Sequence, residues 1–425
     1  MERTLRLFSQ NMIIDRKKML SIFILVCLLF PQFPPLFGRS EVHINLVAIL
    51  FATLSLTFYK LRLNTNSKIL ILGYFFSLQL FLFLSYWLGT DSFNGFSDLP
   101  SYYRPLMLLF VTLGFLSLID NLDDAYSTIL RVAKIIITLV FCYSILEVFF
   151  FDIFSSIMFA IYRIEDKSNI NGVAVSFFTL PYYASYILSV FLPLLMSNYK
   201  LERSIRSLTL VFMCFICIIL TQSKMGVFLA LGIAFLYWYL SVNYRKKIIV
   251  VIFFGFFLLV LYLFLVDFIS YLNSEFGGNF LRTLHSILSN TEHAHNLLER
   301  VKDITETYSA IMSNNPFFGV GLAKGKTIEV WIAMIMYRYG LIGLMFFVVF
   351  FLWVGFVSII EINKENKGGK ESFKRIELLK MIVIWSLTIF ISQLSGLMIE
   401  MSKGAIISSL MFALTARVLF IQRVT

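Results

Sequence analysis

Five charged residues lie in the connections between apolar runs or in the first part of such a run, and their types could do chemistry together. The four cations can bind an anionic group, for example a phosphorylated one, and the carboxylate can accept a proton. They are Arg163, Lys224, Arg300, Arg338 and Glu329. Each cation can equally be an interfacial anchor. The carboxylate can also be an exposed residue that begins a helix and is favoured by the helix dipole.

Glu329 and Arg338 lie nine residues apart at the start of a long apolar run. Nine residues of regular α-helix turn through about 900°, so the two side chains would point to opposite faces. They can reach one site only if the helix is distorted. Gly340 and Gly343 follow directly, and we expect a bend or a close contact there.

The segment before this run has the periodicity of a helix. Apolar residues recur at helical spacing and would face the protein or the membrane surface; they are Leu297, Val301, Ile304, Tyr308 and Ile311. Lys302 and Glu306 would point away from this stripe, whereas Arg300 borders its buried side. Arg300 therefore either snorkels along apolar surface or contacts a ligand.

The sequence carries no pattern typical of a metal site or a common cofactor. His285, His293 and His295 share one segment, but they lack an HExxH spacing and cysteine companions. All four cysteines fall inside apolar runs, so no disulfide framework is indicated. There is also no P-loop, dinucleotide fingerprint or serine nucleophile elbow. We predict no metal and no cofactor.

The composition is that of a protein embedded in a membrane. The chain is 59% hydrophobic and only 14% charged, whereas soluble proteins are nearer one quarter charged. Its net charge of +11 comes from short basic clusters between the apolar runs. That distribution is typical of membrane topology signals, so we expect no nucleic-acid partner.

The apolar runs predict an all-α, polytopic membrane protein with about 12 transmembrane helices. A bilayer core of roughly 30 Å needs about 20 apolar helical residues. The runs are 19–37, 42–59, 69–89, 105–119, 133–151, 177–197, 207–222, 225–242, 248–267, 328–358, 378–397 and 404–421. We expect residues 1–425 to form a single integral membrane domain.

Lysine and arginine residues orient these runs. They cluster in alternate connections, for example at 16–18, 200–206 and 245–247. By the positive-inside rule, these connections and both chain ends lie in the cytoplasm. The long connection 268–327 then becomes a large external loop that contains helices.

Three segments, taken in order, resemble the Wzy-type O-antigen polymerase and O-antigen ligase superfamily. FFTLPYYA at 177–184 resembles the opening of a span that an arginine precedes, here Arg163. TQSKMG at 221–226 is similar to the TxSRG hairpin, with Lys224 in the arginine position. NPFFGVG at 315–321, followed by GLIG at 340–343, resembles the PxxGxG and GLIG pattern that ends the large periplasmic loop. The resemblance covers roughly residues 160–350.

The resemblance implies a metal-independent glycosyltransferase at the periplasmic face of the inner membrane. A glycan linked to undecaprenyl pyrophosphate would be the donor, and a lipid-linked repeat unit would be the acceptor. The pyrophosphate would be bound by Arg163, Lys224, Arg300 and Arg338, and the catalytic base would be Glu329. The expected partners are the lipid bilayer, a chain-length regulator and a flippase.

One departure from the family pattern favours the polymerase branch over the ligases. Ligases have a His-Asn pair before the GLIG segment, whereas this chain has Glu329 and Val330 there. Two alternatives stay open. One is an O-antigen ligase that transfers polymer to lipid A-core, and the other is a flippase or transporter for lipid-linked sugars. The charges concentrate at external ends instead of mid-span positions, which favours a transferase over a transporter.

Overall fold

All secondary structure in the described part of the chain is helical, as the sequence predicts. The computed structural model describes residues 15–31, 42–61, 63–89, 99–162, 173–178, 180–243, 246–256, 270–271, 295–322, 328, 330–368, 373–394, 396–400 and 402–420. Within these ranges there is no β-strand.

Fourteen helices are numbered here in chain order. The first seven are α1 (Arg16–Leu29), α2 (Val42–Phe58), α3 (Thr65–Leu88), α4 (Leu99–Tyr102), α5 (Arg104–Leu118), α6 (Leu122–Phe149) and α7 (Phe151–Ile161). The remainder are α8 (Pro181–Glu202), α9 (Ile205–Leu220), α10 (Lys224–Ser241), α11 (His295–Ser313), α12 (Trp331–Gly368), α13 (Phe373–Ser392) and α14 (Ser402–Leu419). Two 3-10 turns, Ser176–Phe178 and Met398–Glu400, precede α8 and α14.

The helices begin where the sequence offers capping groups. The side chains of Asn64, Asn121, Ser204 and Ser223 accept hydrogen bonds from backbone N–H groups in the first turns of α3, α6, α9 and α10. Such caps satisfy donors that have no partner inside the helix. Pro181 stands in the first turn of α8, where a missing N–H is harmless.

Each predicted apolar run overlaps a helix among its described residues, and the ninth run does so over 248–256. Three helices are long and apolar enough to cross a membrane: Thr65–Leu88, Leu122–Phe149 and Trp331–Asn366. Four shorter apolar helices, α2, α5, α9 and most of α10, accompany them. The count of 12 spans and the external position of 268–327 stay predictions.

One end of the bundle, which we call the basic end, gathers the connections rich in lysine and arginine. It comprises the helix termini near residues 16–18, 60–68, 120–134, 200–206, 241–247, 364–375 and 417–420. Contacts across the chain join these termini. Arg16 pairs with Asp120 at 2.5 Å, and Ser67 Oγ donates to the carbonyl of Ala416 at 2.8 Å.

The opposite end, which we call the motif end, gathers the segments singled out by the sequence. It comprises the termini near residues 29–30, 88–89, 149–162, 173–181, 220–224, 313–322, 331–340 and 392–403. The N–H of Ala174 donates to the carbonyl of Leu220 at 2.9 Å. The N–H of Val320 donates to the carbonyl of Tyr337 at 2.8 Å. Segments far apart in sequence therefore meet at one end.

Aromatic side chains form the centre of the bundle. Phe351 of α12 lies against Phe347 and against Trp385 of α13, with ring centroids 4.7 and 5.2 Å apart. Trp385 in turn contacts Phe412 of α14 at 5.3 Å. Edge-to-face and tilted pairs of this kind add to the burial of large apolar area. They fix α12, α13 and α14, whose ends at the motif end carry the candidate site.

The predicted helix in the long loop is confirmed as α11, but its stripe faces the protein only in part. Ile311 is buried and Ile304 is half-buried, whereas Val301 and Tyr308 are 53% and 50% exposed. Thr307 is buried in their place. The side of α11 that faces the protein is thus rotated from the apolar stripe towards a polar residue, and α11 packs against α12.

Candidate functional site

A helix kink at Gly340 organises the motif end. Gly340 has φ 66° and ψ −170°, which are not helical values, so α12 consists of two helical pieces that meet there. A residue with a Cβ rarely adopts this conformation. The predicted bend is confirmed, and its cause is glycine. We call residues 331–339 the upper piece of α12 and the residues after Gly340 its lower piece. Arg338 and Tyr339 are the last side chains of the upper piece.

The glycine-rich loop before α12 interlocks with this kink. Gly319 has φ 90°, and a Cβ at that position would lie 2.4 Å from the carbonyl oxygen of Tyr337. A Cβ on Gly340 would lie 2.1 Å from the carbonyl oxygen of Phe317. The N–H of Leu341 donates to the carbonyl of Pro316 at 2.9 Å. The PxxGxG and GLIG segments are therefore two halves of one backbone contact.

Asn315 shapes the loop from within. Its Oδ1 accepts hydrogen bonds from the N–H groups of Phe317 and Phe318 at 3.2 and 3.1 Å. Its carbonyl accepts the N–H of Gly319 at 3.0 Å. Asparagine is suited to this role because its short side chain mimics a backbone turn. The glycines here serve close packing.

Arg338 is buried and bound to a carboxylate that sequence reasoning missed. Its Nη1 donates to Glu400 Oε2 at 2.8 Å, and the hydroxyl of Tyr339 donates to Glu400 Oε1 at 2.5 Å. Arg338 is 8% exposed and Glu400 5%. A buried charge of either sign is costly unless it is paired. Both oxygens of the carboxylate are thus occupied, and the pair is electrically neutral.

Two donors of α12 have no hydrogen-bond partner among the described residues. They are Nε of Arg338 and Nε1 of Trp331, and both atoms are buried. A buried donor without a partner costs free energy, so such groups commonly meet a water or a ligand. The free edge of the Arg338 guanidinium is suited to an anionic oxygen.

Glu400 is positioned by the 3-10 turn between α13 and α14. Oε1 of Gln393 accepts the N–H of Ile399 at 3.0 Å. A Cβ on Gly404 would lie 2.3 Å from the carbonyl oxygen of Met398, so α14 begins in close contact with the turn. The sequence signal was a carboxylate in a short polar gap between two apolar runs, next to Lys403.

Lys403 is buried and fastens two other segments to this turn. Its Nζ donates to the carbonyls of Phe30, at the end of α1, and Phe177, at 2.7 and 2.5 Å. Tyr162 lies beside it, with Nζ 5.4 Å from the ring centroid. Burial raises the pKa of the Tyr162 phenol, which stays a donor to the carbonyl of Leu29 at 2.9 Å. Lys403 therefore has a positioning role at the motif end.

The segment before α8 is held by a second buried carboxylate. Oε2 of Glu147, on α6, accepts the N–H groups of Val175 and Ser176 at 2.8 and 2.7 Å. Ser176 has φ 53°, an unusual value for a residue with a side chain. Two charge-assisted bonds stabilise that conformation.

The TQSKMG segment forms a tight turn between α9 and α10. Ser223 Oγ accepts the N–H of Gly226 at 3.2 Å, and Ser185 Oγ of α8 donates to Ser223 Oγ at 3.3 Å. A Cβ on Gly226 would lie 2.5 Å from Cβ of Ser185. The backbone of Lys224 begins α10 at the motif end. Its side chain lies outside the described atoms.

The five predicted site residues are described to different extents. Arg163 and Glu329 lie outside the described residues. Arg300 is half-buried in α11, which packs against α12, and Arg338 lies in α12 itself. Their roles as ligands and base stay predictions. The structure adds Glu400 and Tyr339 to the set.

The geometry suits binding of an anionic group at the motif end. It offers the free edge of one buried guanidinium, beside a loop that is rigidly joined to the helix kink. Within the described residues, no group of three or more histidine, cysteine or acidic side chains is arranged to hold a metal ion.

Residues 208–343 match a family model described as O-antigen ligase. The matched region runs from α9 to the GLIG segment and thus includes two of the three sequence motifs. This match supports the O-antigen polymerase and ligase superfamily. No curated protein matches the chain.

Proposed function

We propose that this chain, as a member of the O-antigen polymerase and ligase superfamily, polymerises lipid-linked oligosaccharide repeat units. The donor is a glycan on undecaprenyl pyrophosphate, and the acceptor is a second lipid-linked repeat unit. The product is O-antigen or a related surface polysaccharide. The reaction takes place at the periplasmic face of the inner membrane.

The observation that carries this proposal is the buried Arg338–Glu400 pair beside the interlocked glycine loop. The pair's nitrogen–oxygen distance is 2.8 Å, and the adjoining Nε of Arg338 has no partner among the described residues. Buried ion pairs contribute little to stability compared with apolar packing. A charged pair kept at the end of a membrane helix is instead expected to serve a ligand.

The proposed chemistry is a displacement at the anomeric carbon of the donor sugar. A hydroxyl of the acceptor glycan forms the new C–O bond, while the bond to the pyrophosphate breaks and undecaprenyl pyrophosphate leaves. Glu329 takes the proton from the attacking hydroxyl. Cations stabilise the charge that develops on the leaving group.

Four cations are proposed to bind the pyrophosphate: Arg163, Lys224, Arg300 and Arg338. Because Glu400 already balances the charge of Arg338, the other three supply the net positive charge of the site. Arg338 then orients the pyrophosphate through its free Nε edge. Lys224 brings charge without the forked geometry of arginine.

The distribution of charge supports a periplasmic location for the motif end. Basic residues crowd the opposite end, for example Lys17 and Lys200, and such residues are retained in the cytoplasm. With that end inside, α11 and the interlocked loop lie outside. The site then faces the compartment in which lipid-linked repeat units are joined.

The polymerase branch is favoured by Glu329 and Val330, which occupy the position of the ligase His-Asn pair. A ligase is the second candidate, because the matched family model is described as O-antigen ligase. A ligase would use the same donor but a different acceptor, lipid A-core. The two functions therefore differ in their products.

A deletion strain separates the candidates. Its lipopolysaccharide would be resolved on a gel, and its undecaprenyl-linked glycans would be analysed in parallel. We expect core that carries a single repeat, without a ladder, restored to a ladder by the intact gene. Bare core with long polymer on the carrier would indicate a ligase. Bare core with only unpolymerised repeats on the inner leaflet would indicate a flippase.

A further inference from the structure

An open groove lies between α3 and the lower piece of α12, away from the motif end. It has a volume of about 450 Å³. Ile69, Gly73 and Tyr74 of α3 form one wall, and Phe350 and Trp353 of α12 form the other. The rims are exposed apolar side chains, so the natural occupant is hydrocarbon.

Gly73 makes the floor of this groove. No heavy atom lies within 4 Å of a Cβ built on it. Glycine in the middle of a helix is unfavourable compared with alanine. Its presence here keeps space open, while the neighbouring Tyr74 ring packs 4.0 Å from the Phe350 ring. The concave shape therefore depends on a missing side chain.

The groove adjoins the candidate site through Tyr74. The same tyrosine also lines a small cavity, of about 10 Å³, together with Tyr339 and Glu400. The groove's upper residue on α12, Phe346, lies six residues beyond Gly340, a descent of about 9 Å along a helix. A chain that hangs from a headgroup at Arg338 thus reaches the groove directly.

We propose that this groove binds the isoprenoid chain of the lipid-linked substrate. The inference rests on the proposed function, which supplies a substrate with a diphosphate head and one long branched chain. A headgroup held by cations at the motif end fixes where the chain descends. The methyl branches of an isoprenoid chain need more width than a linear acyl chain, and the space above Gly73 provides it.

Photo-crosslinking tests this site without requiring transfer. Full-length protein in membranes would be exposed to undecaprenyl diphosphate with a diazirine in one of the isoprene units that directly follow the two nearest the diphosphate. We expect labelling of the peptides that contain Gly73 and Phe350, reduced by unlabelled undecaprenyl diphosphate. Equal labelling by a diacyl phosphatidylethanolamine probe would overturn the proposal, because the groove would then be an ordinary lipid contact.

Gly73→Leu fills the groove, and Gly232→Leu is its matched control. Gly232 also lies in an apolar helix, α10, with no heavy atom within 4 Å of a built Cβ. We expect Gly73→Leu to lower labelling about tenfold at a probe concentration below KM, and Gly232→Leu to leave it unchanged. Wild-type labelling in Gly73→Leu would overturn the proposal.

Kinetics with two donors separates the groove from the polymerase proposal. Gly73→Leu should raise KM for an undecaprenyl-linked donor about tenfold, equivalent to roughly two methylenes lost from apolar contact. It should not alter KM for a geranyl-linked donor. Equal effects on both donors would overturn the groove. Labelling without any transfer by the wild type would refute the polymerase function and leave the groove intact.

Discussion

At the scale of single residues, the candidate site depends on how buried charges are paired. Glu400 binds both Arg338 and Tyr339, one with each oxygen. It fixes the guanidinium so that Nε stays free. Under the proposed function, the carboxylate is a positioning residue that acts through Arg338.

Glu400→Gln tests this pairing. An amide keeps the shape, and its oxygen and NH2 group can still bond to Arg338 and to the hydroxyl oxygen of Tyr339, but the negative charge that pairs with Arg338 is lost. We expect polymer formation to fall by about tenfold or more, since a bond to a charged group is worth about 1.5–3 kcal/mol. The measurement is the rate of ladder formation at equal protein level.

Glu202→Gln is the matched control for that experiment. Glu202 pairs with Lys134 at 3.3 Å at the basic end and is partly exposed, so its loss should leave the ladder unchanged. A wild-type ladder from Glu400→Gln would contradict the positioning role. A faster rate of ladder formation in Glu400→Asp than in Glu400→Gln would support a role for the negative charge of the carboxylate.

Glu329→Gln tests the proposed base. The amide cannot accept the proton of the attacking hydroxyl, so we expect polymer to disappear while the protein level stays normal. Glu306→Gln is the control, because Glu306 is exposed on α11 and pairs with Lys302 in the same helix. Undiminished polymer length in Glu329→Gln would refute the assignment.

At the scale of elements, the interlocked loop and kink are the most constrained feature. Gly340 adopts φ 66° and touches the carbonyl of Phe317, while Gly319 adopts φ 90° and touches that of Tyr337. Each half therefore needs the other. This explains the spacing of PxxGxG and GLIG by backbone packing.

Gly340→Ala should disrupt the contact between the glycine-rich loop and the helix kink. The added Cβ strains the backbone by about 1–3 kcal/mol and also meets the carbonyl of Phe317. We expect a lower melting temperature and faster proteolysis within residues 313–322. Gly232→Ala, which meets open space, should melt at least as high as the wild type. An unchanged cleavage rate in Gly340→Ala would contradict the interlock.

Much of the element layout follows from the sequence, because apolar periodicity and capping residues act locally. The apolar runs gave the helices, and Gly340 gave the bend. The pairing of Arg338 with Glu400 could not be predicted, because the two residues lie 62 positions apart and meet through packing of α12 and α14. Glu147 was missed for the same reason, since its partners are backbone N–H groups 28 and 29 residues away.

The face of α11 shows how tertiary contacts override a pattern. Its apolar stripe predicts Val301 and Tyr308 on one side with Ile311, but the structure buries Thr307 with Ile311. The helix turns to pack against α12. Exposed apolar residues on its outer side then suit the surface of a membrane.

At the scale of the whole molecule, the two ends have different characters. The basic end is held by ion pairs: Glu377, for example, binds Lys380 at 2.7 Å and the hydroxyl of Tyr237 at 2.8 Å. The motif end is held by glycine packing, by backbone hydrogen bonds and by a few buried charged side chains such as Lys403. The basic end is thus suited to retention in the cytoplasm, and the motif end is suited to the exposure of a site.

Labelling of single cysteines tests this orientation. We expect Lys302→Cys, on the exposed side of α11, to react with a membrane-impermeant maleimide in cells whose outer membrane alone is permeable. Lys364→Cys, at the basic end and also exposed, should react only after the inner membrane is opened. The four native cysteines would be replaced by serine or alanine beforehand. The reverse pattern would contradict the proposed topology.

Reconstitution tests the central claim most directly. The purified full-length chain would be placed in liposomes with undecaprenyl-pyrophosphate-linked repeat units as the only substrate. We predict a ladder of polymer, with one undecaprenyl pyrophosphate released for each new linkage. No ladder from these units, together with transfer to lipid A-core in a second reaction supplied with preformed lipid-linked polymer and lipid A-core, would contradict the polymerase account and identify a ligase.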